Sequence, residues 1–321
     1  MPPPVSGSFY LNYRFILSRF MDFQQLNSDF GIPRQLEIIP GPGGMPMIKV
    51  DNGSARALIS LYGGQVLSFQ PLEQAEDVLF LSGQSAYTEG KAIRGGIPVC
   101  WPWFGPDPKG LQRPNHGFVR NHFWQLTKTE AVSDSETTVS LRFTDRFKQE
   151  NTWRKPFLLM LDISIGPILR LKLTTCNTGN EPFSITQVFH SYFRVGDIKR
   201  VQVLGLEDCD YFDKLDQGIQ KTQKGIVTVA REVDRVYVEA YKNLVIVDPV
   251  LKRRIHINSP NTSTAVVWNP WLKTSKKMSD LADTDYQRFI CVEAGNVAFD
   301  LIQVQPGSQF SLQANYSLLP D

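Results

Sequence analysis

Short runs in which apolar and polar residues alternate recur along almost the whole chain, each stopped by Gly, Pro, Asn or Asp. Val139 to Phe143, Leu158 to Ile165, Ile168 to Cys176 and Phe310 to Leu318 are the clearest. Alternation with a period of two puts successive side chains on opposite faces of a strand, so one face can be buried. Met47 to Val50, Ala55 to Tyr62, Val66 to Gln70, Ile185 to Phe193, Ile226 to Ala230, Val236 to Tyr241, Leu244 to Val247, Arg254 to Ile257 and Ala265 to Trp268 extend the series. Asp51-Asn52-Gly53 predicts a tight primed hairpin turn. Thr274 to Tyr286 is the best helix candidate, and it is short. So many strands with so few helices predict an all-β fold, a large antiparallel β-sandwich of two packed sheets.

No internal repeat and no Pro-, Gly- or Ser-rich linker divides the 321 residues, so residues 36–321 are expected to form one domain. Residues 1–35 are expected to be a poorly ordered N-terminal extension. Met1 to Phe20 carry Arg14 and Arg19 but no acidic residue, a composition that suits a transit-like segment. The apolar core and cleavage site of a secretory signal are not evident, and Met21 would serve equally well as a start. We read the segment as a dispensable extension of a cytoplasmic protein that works as a monomer.

With 34 basic and 32 acidic residues, the net charge of +2 lacks the basic excess of a nucleic-acid binder. No apolar run approaches the roughly 18 residues of a membrane span. Cys100, Cys176, Cys209 and Cys291 are scattered without a C-x-x-C pair, so neither metal spacing nor a disulfide framework is expected. Any affinity for an anion must come from a few placed arginines.

Two neighbouring stretches concentrate such residues. Ile93-Arg94-Gly95-Gly96-Ile97-Pro98 runs into Trp101-Pro102-Trp103-Phe104-Gly105, and Asn115-His116-Gly117-Phe118-Val119-Arg120 follows. Paired glycines let a backbone turn sharply or approach a ligand closely, and arginine offers a planar fork suited to carboxylate or phosphate. Taken alone, Trp101-Pro102-Trp103-Phe104 reads as core packing around a tight turn, and it is the arginines that point to a ligand. The chain holds four histidines, His116, His122, His190 and His256. His116 lies in a glycine-bearing loop, His190 among aromatics on a strand where a satisfied core role competes with catalysis, and His122 and His256 read as surface. Glu293 ends the apolar run Phe289 to Val292, where an ionised carboxylate needs a partner or a task. Asp234 stands beside Arg235, and Trp268-Asn269-Pro270-Trp271 offers further aromatic walls.

These motifs, with Phe189-His190-Ser191-Tyr192-Phe193 and Cys291-Val292-Glu293-Ala294-Gly295-Asn296-Val297, occur in an order that resembles the hexose-6-phosphate mutarotases. These glucose-6-phosphate 1-epimerases belong to the aldose 1-epimerase superfamily, and the match spans Leu36 to Leu319. The resemblance implies a galactose mutarotase-like sandwich and a catalytic pair, Glu293 as base and His190 as acid. It implies substrate contacts from Arg94, Arg120 and Asp234, with His116 lining the site. Asn115 stands where relatives often carry Gln. The implied substrate is a sugar phosphate whose anomers exchange by ring opening and reclosure, with no metal or other cofactor. Arg94 and Arg120 are both candidates for the phosphate, with Lys91 adding a diffuse positive field. Two alternatives stand beside this reading: a mutarotase for unphosphorylated aldoses, and a non-catalytic carbohydrate-binding sandwich.

Overall fold

The alternation is realised most fully at Phe157–Ile165 and Leu169–Asn177, which pair antiparallel along their whole length from Phe157 opposite Asn177 to Ile165 opposite Leu169. A computed structural model describes residues 22–144, 153–240 and 242–320. Among these residues the two strands lie inside a nine-stranded antiparallel sheet. Its order runs Val227–Thr228, Gln202–Leu204, Asn243–Asp248, Arg253–Asn258, Gln309–Leu319, Leu169–Asn177, Phe157–Ile165, Glu136–Thr144, Gln125–Ser133. An eight-stranded sheet packs against it, ordered Ile219–Thr222, Asp210–Asp213, Val233–Val238, Thr264–Asn269, Phe289–Asn296, Gln187–Phe189, Val99–Cys100, with Tyr192–Arg194 also paired to Phe289–Asn296. The all-β sandwich expected from the sequence is therefore the architecture.

The inner faces meet in one continuous apolar cluster. Leu159, Leu161, Ile163, Leu171, Leu173, Leu312 and Ala314 enter from the nine-stranded sheet, and Tyr237, Ala265, Val267, Ile290, Val292 and Ala294 from the eight-stranded one. Burial at roughly 25 cal/mol per Å² makes this face the main source of stability. A four-stranded sheet, Leu36–Pro40, Pro46–Asp51, Ala55–Ser60 and Gln65–Pro71, adds Ile38, Ile48, Val50 and Ile59 to the same cluster.

Three expectations are corrected. The turn at Asp51-Asn52-Gly53 is not primed, because neither Asn52 nor Gly53 has positive φ. Instead the buried Asn52 side chain accepts from the Ser54 and Ala55 amides at 3.1 and 3.0 Å. It also donates to Thr137 Oγ1 and the Ile165 carbonyl, each at 3.0 Å, which bolts the hairpin onto the nine-stranded sheet.

The helix expected over Thr274 to Tyr286 is only Trp271–Ser275, followed by turns and a single 3-10 turn at Asp285–Arg288. Short polar side chains there compete for the backbone, as where Asp285 accepts from the Ala282 amide. Met278 and Leu281 then turn inward against Phe80, Tyr192 and Phe289, so the segment is no simple surface loop.

Lastly, residues 22–35, expected to be part of a poorly ordered extension, are structured. Asp22 caps a helix, α1 (Phe23–Phe30), by accepting from Gln24 and Gln25. Asn27 bridges the Ile38 amide and carbonyl, while Phe23, Leu26, Phe30 and Ile32 pack on the main cluster. Residues 1–21 lie outside the described residues.

Replacing Asn52 by Ala removes five hydrogen bonds and strands buried partners. A stability loss of about 1–3 kcal/mol is expected from urea denaturation. An unchanged midpoint would show that the bolt is dispensable.

Candidate active site

Register decides which side chains turn away from the core. Along Phe289–Asn296, Ile290, Val292 and Ala294 face the second sheet, so Cys291 and Glu293 face outward. Glu293 lies opposite Val266, Cys291 opposite Trp268, and Trp268 opposite Asp234, so Glu293, Trp268 and Asp234 share the outer face. The same strand pairs with Phe189 at Ala294 and with Tyr192 at Cys291, which leaves His190 and Ser191 in a break facing Val292 and Glu293. Ser191 turns inward, its hydroxyl 2.7 Å from the Tyr316 hydroxyl on the nine-stranded sheet. His190 turns outward.

This break brings His190 Nδ1 within 3.3 Å of Glu293 Oε1. The contact has ion-pair distance but not hydrogen-bond alignment, and neither Glu293 oxygen nor His190 Nδ1 has a hydrogen-bond partner. Both residues are buried, at 7% exposure for His190 and 1% for Glu293. The His190 ring stacks on Tyr192 at 4.8 Å and 10°, and meets Trp268 and His116 edge-on.

A backbone device places His116. It and Gly117 both have positive φ, 63° and 74°, and a Cβ at Gly117 would sit 1.8 Å from the Trp101 carbonyl oxygen. Only glycine fits that approach. His116 Nδ1 accepts from the Gly105 amide at 3.2 Å, so the neutral ring carries its proton on Nε2. Burial, then Arg120, Lys214 and Arg94, push its pKa down to about 3. His116 is thus a neutral donor at pH 7. Trp101 and Trp103 belong to the core, while Phe104 packs against His116 and His190.

The cations differ in their commitments. Arg94 donates to Asp280 at 3.0 and 3.1 Å and to the Tyr192 hydroxyl at 2.9 Å. Burial opposes its charge, but Tyr192 and Asp280 outweigh burial and keep it protonated. Arg120 donates to the Asn115 carbonyl at 2.9 Å, and its buried Nε has no hydrogen-bond partner. Asn115 itself is exposed and meets Arg120 only through its backbone. Lys214 is exposed, with Nζ 5.4 Å from the Phe104 ring centre, and among the described residues it forms no ion pair within 4.0 Å.

Burial followed by Asp234 raises the Glu293 pKa well above the ordinary carboxylate range, against the pull of Lys214 and Arg120. Burial, then His116, Arg120 and Arg94, lowers that of His190. Asp234 is raised by burial, with Lys214 opposing. Contacts and charge interactions thus link His190, Glu293, Arg94, His116, Arg120 and Asp234, six of the seven residues singled out in the sequence, while Asn115 joins them only through its carbonyl to Arg120. Asp280 and Lys214 were not foreseen and carried no signal in the sequence, while Phe104 and Tyr192 stood inside the quoted motifs without a role of their own. Among the described residues one trio, His190, Cys291 and Glu293, brings metal-ligating atoms within 4.8 Å of one another.

A family model described as aldose 1-epimerase matches residues 46–317. A Cenchrus ciliaris protein with the provisional name glucose-6-phosphate 1-epimerase is 35% identical over 295 residues, 88% of either chain. An Escherichia coli K12 protein of the same provisional name is 35% identical over 251 residues, 78% of this chain and 82% of that one. Among solved structures, a Salmonella typhimurium protein described provisionally as a mutarotase superposes with a TM-score of 0.82 at 30% identity, covering 92% of this chain and 100% of that one. A galactose mutarotase-like protein from Clostridium acetobutylicum shares the fold, with a TM-score of 0.68 at 15% identity over 90% of this chain and 99% of that one.

The depressed His116 pKa makes the fold acid-sensitive. The unfolded chain takes up a proton near pH 6.5 that the folded chain refuses until about pH 3, so this contribution to stability is present above pH 6.5 and lost as pH falls. Urea midpoints are expected to fall less steeply between pH 6.5 and pH 4 in His116→Gln than in the parent; parallel curves would contradict the burial argument.

Proposed function

The chain belongs to the aldose 1-epimerase family and is an isomerase; on that footing we propose that it interconverts the α and β anomers of hexose 6-phosphates, glucose 6-phosphate first among them. The observation that carries the reading is the His190–Glu293 contact: an acid and a base 3.3 Å apart in one buried recess, their facing atoms committed to no hydrogen bond.

Anomer exchange opens a hemiacetal, turns about C1–C2 and recloses on the other face. Opening removes the proton of the C1 hydroxyl and delivers one to the ring oxygen. Glu293 takes the first and His190 gives the second, and reclosure reverses both transfers. The pair needs one mobile proton throughout. With a closed ring it is carboxylate and imidazolium; with an open ring it is carboxylic acid and imidazole, the neutral form that burial favours. Desolvation therefore offsets part of the cost of opening. His116, a neutral Nε2–H donor, supports this by stabilising negative charge on a sugar oxygen without competing for the proton.

Phosphate selection rests on Arg120 and Lys214. Arg94 is already held by Asp280 and Tyr192 beside the His190 ring, which suits orientation of the sugar. Among the described residues neither Arg120 nor Lys214 has an acidic partner within 4.0 Å, and charge-assisted bonds from such groups suit a phosphate dianion. Asp234 and the rim at Asn115 serve the hydroxyls.

Anomer-exchange NMR on glucose 6-phosphate tests the chemistry. His190→Ala and Glu293→Gln are each expected to lower kcat by about 10²–10⁴-fold with little change in KM; near-normal turnover in either would overturn the assignment. The rate above the uncatalysed background should fall at acid pH, when His190 and Glu293 together take a second proton. It should fall again at alkaline pH, when they lose the last one. Because His190 is lowered and Glu293 raised, the plateau between should start below pH ~6.5. A rate rising monotonically with pH would exclude a shared proton.

For specificity, Arg120→Ala and Lys214→Ala should raise KM for glucose 6-phosphate by roughly tenfold to a hundredfold and leave free glucose almost unaffected. Equal losses on both sugars would favour a mutarotase for unphosphorylated aldoses.

A further inference from the structure

The outward face of Phe289–Asn296 holds a third group that the sugar chemistry does not use. Cys291 lies two residues from Glu293 on the same face, fully buried, with Tyr192, Trp268 and Phe289 packed around it. A ligating atom of Cys291, one of His190 and one of Glu293 all lie within 4.8 Å of one another. Both Glu293 oxygens and His190 Nδ1 are buried without a hydrogen-bond partner. Three donors of different kinds thus converge, and two of them lack a hydrogen-bond partner.

We infer that His190, Cys291 and Glu293 form a binding site for a thiophilic divalent cation of the zinc or cadmium type, and that its occupancy shuts off anomer exchange. One thiolate, one imidazole and one carboxylate are ligands that zinc takes in sites with three protein groups and one open position. The set is wrong for magnesium or calcium, which take oxygen ligands. Zinc bonds of ~2.0–2.3 Å place tetrahedral donors roughly 3.3–3.8 Å apart, so closure requires side-chain movements of about 1 Å. Binding exchanges protons only: the Cys291 thiol releases its proton to solvent, the proton shared by His190 and Glu293 leaves with it, and the metal keeps its charge state. The inhibition rests on the catalytic reading above, since the ion removes the base and the acid together. The binding does not.

The test uses the full chain and two readouts. Cobalt(II) alone, titrated into the protein, should develop a thiolate-to-metal charge-transfer band in the near ultraviolet with visible d–d bands, and zinc should bleach them. In parallel, zinc should inhibit anomer exchange on glucose 6-phosphate, reversed by a chelator. Cys291→Ala is expected to abolish the charge-transfer band and to raise the half-inhibiting zinc concentration about tenfold to a hundredfold, while its metal-free rate stays near that of the parent. Cys291→Ser, closer in size, serves if the alanine variant folds poorly, and Cys176→Ala should behave as the parent. Zinc inhibition equal in the parent and the Cys291 variants, or cobalt binding without a charge-transfer band, would overturn the site. A normal band with undiminished anomer exchange would keep the site and overturn both the inhibition and the catalytic roles of His190 and Glu293.

Discussion

A carboxyl group and an imidazole, buried side by side without a hydrogen bond of their own, are the constraint around which this molecule is arranged. Leaving such groups unpaired costs several kcal/mol. A chain would shed that cost by rotating either side chain unless something prevented it. Here the strand carrying Glu293 is paired on both sides, and its alternate residues are locked into the inter-sheet core. The His190 ring is clamped between the face of Tyr192 and the edges of Trp268 and His116. Apolar packing on one face of the sheet supplies the stability that an unpaired buried arrangement on the other consumes.

Electrostatics around the recess is balanced rather than maximised. Asp234 pushes the Glu293 pKa up while Lys214 and Arg120 pull it down. Arg94 would repel a protonated His190, yet Asp280 sits on its guanidinium and offsets part of that charge. The charges around His190 and Glu293 thus largely counter one another, an arrangement that suits the proposed reaction with an anionic sugar.

Much of this was legible in the sequence because it follows from local pattern. Leu158 to Ile165 and Ile168 to Cys176 announce their strands by alternation, and tertiary packing only confirms the faces. Glu293 was conspicuous as a charge at the end of an apolar run, and His190 as a histidine among aromatics. What escaped was decided by long-range partners. Asp280 is an ordinary acid in a polar stretch until Arg94, 186 residues earlier, closes on it. That contact, with the inward turn of Met278 and Leu281, also explains why a helix expected from Thr274 onward stops at Ser275. Asn52-Gly53 has the composition of a primed turn, but a buried asparagine with partners on Thr137 and Ile165 gains more by facing inward. The helix Phe23–Phe30 was hidden in a segment whose apolar residues find their core only once the sheets exist.

The hydroxyl contact between Ser191 and Tyr316 has a consequence for how such proteins can diverge. Ser191 and His190 are consecutive, so the imidazole is anchored from behind by a strand of the other layer. Sliding Gln309–Leu319 by a single position would turn Tyr316 to the opposite side and release the anchor. Drift in that distant strand is therefore answerable to the placement of His190, and surface change should accumulate elsewhere before it alters the pairing of that strand with its neighbours.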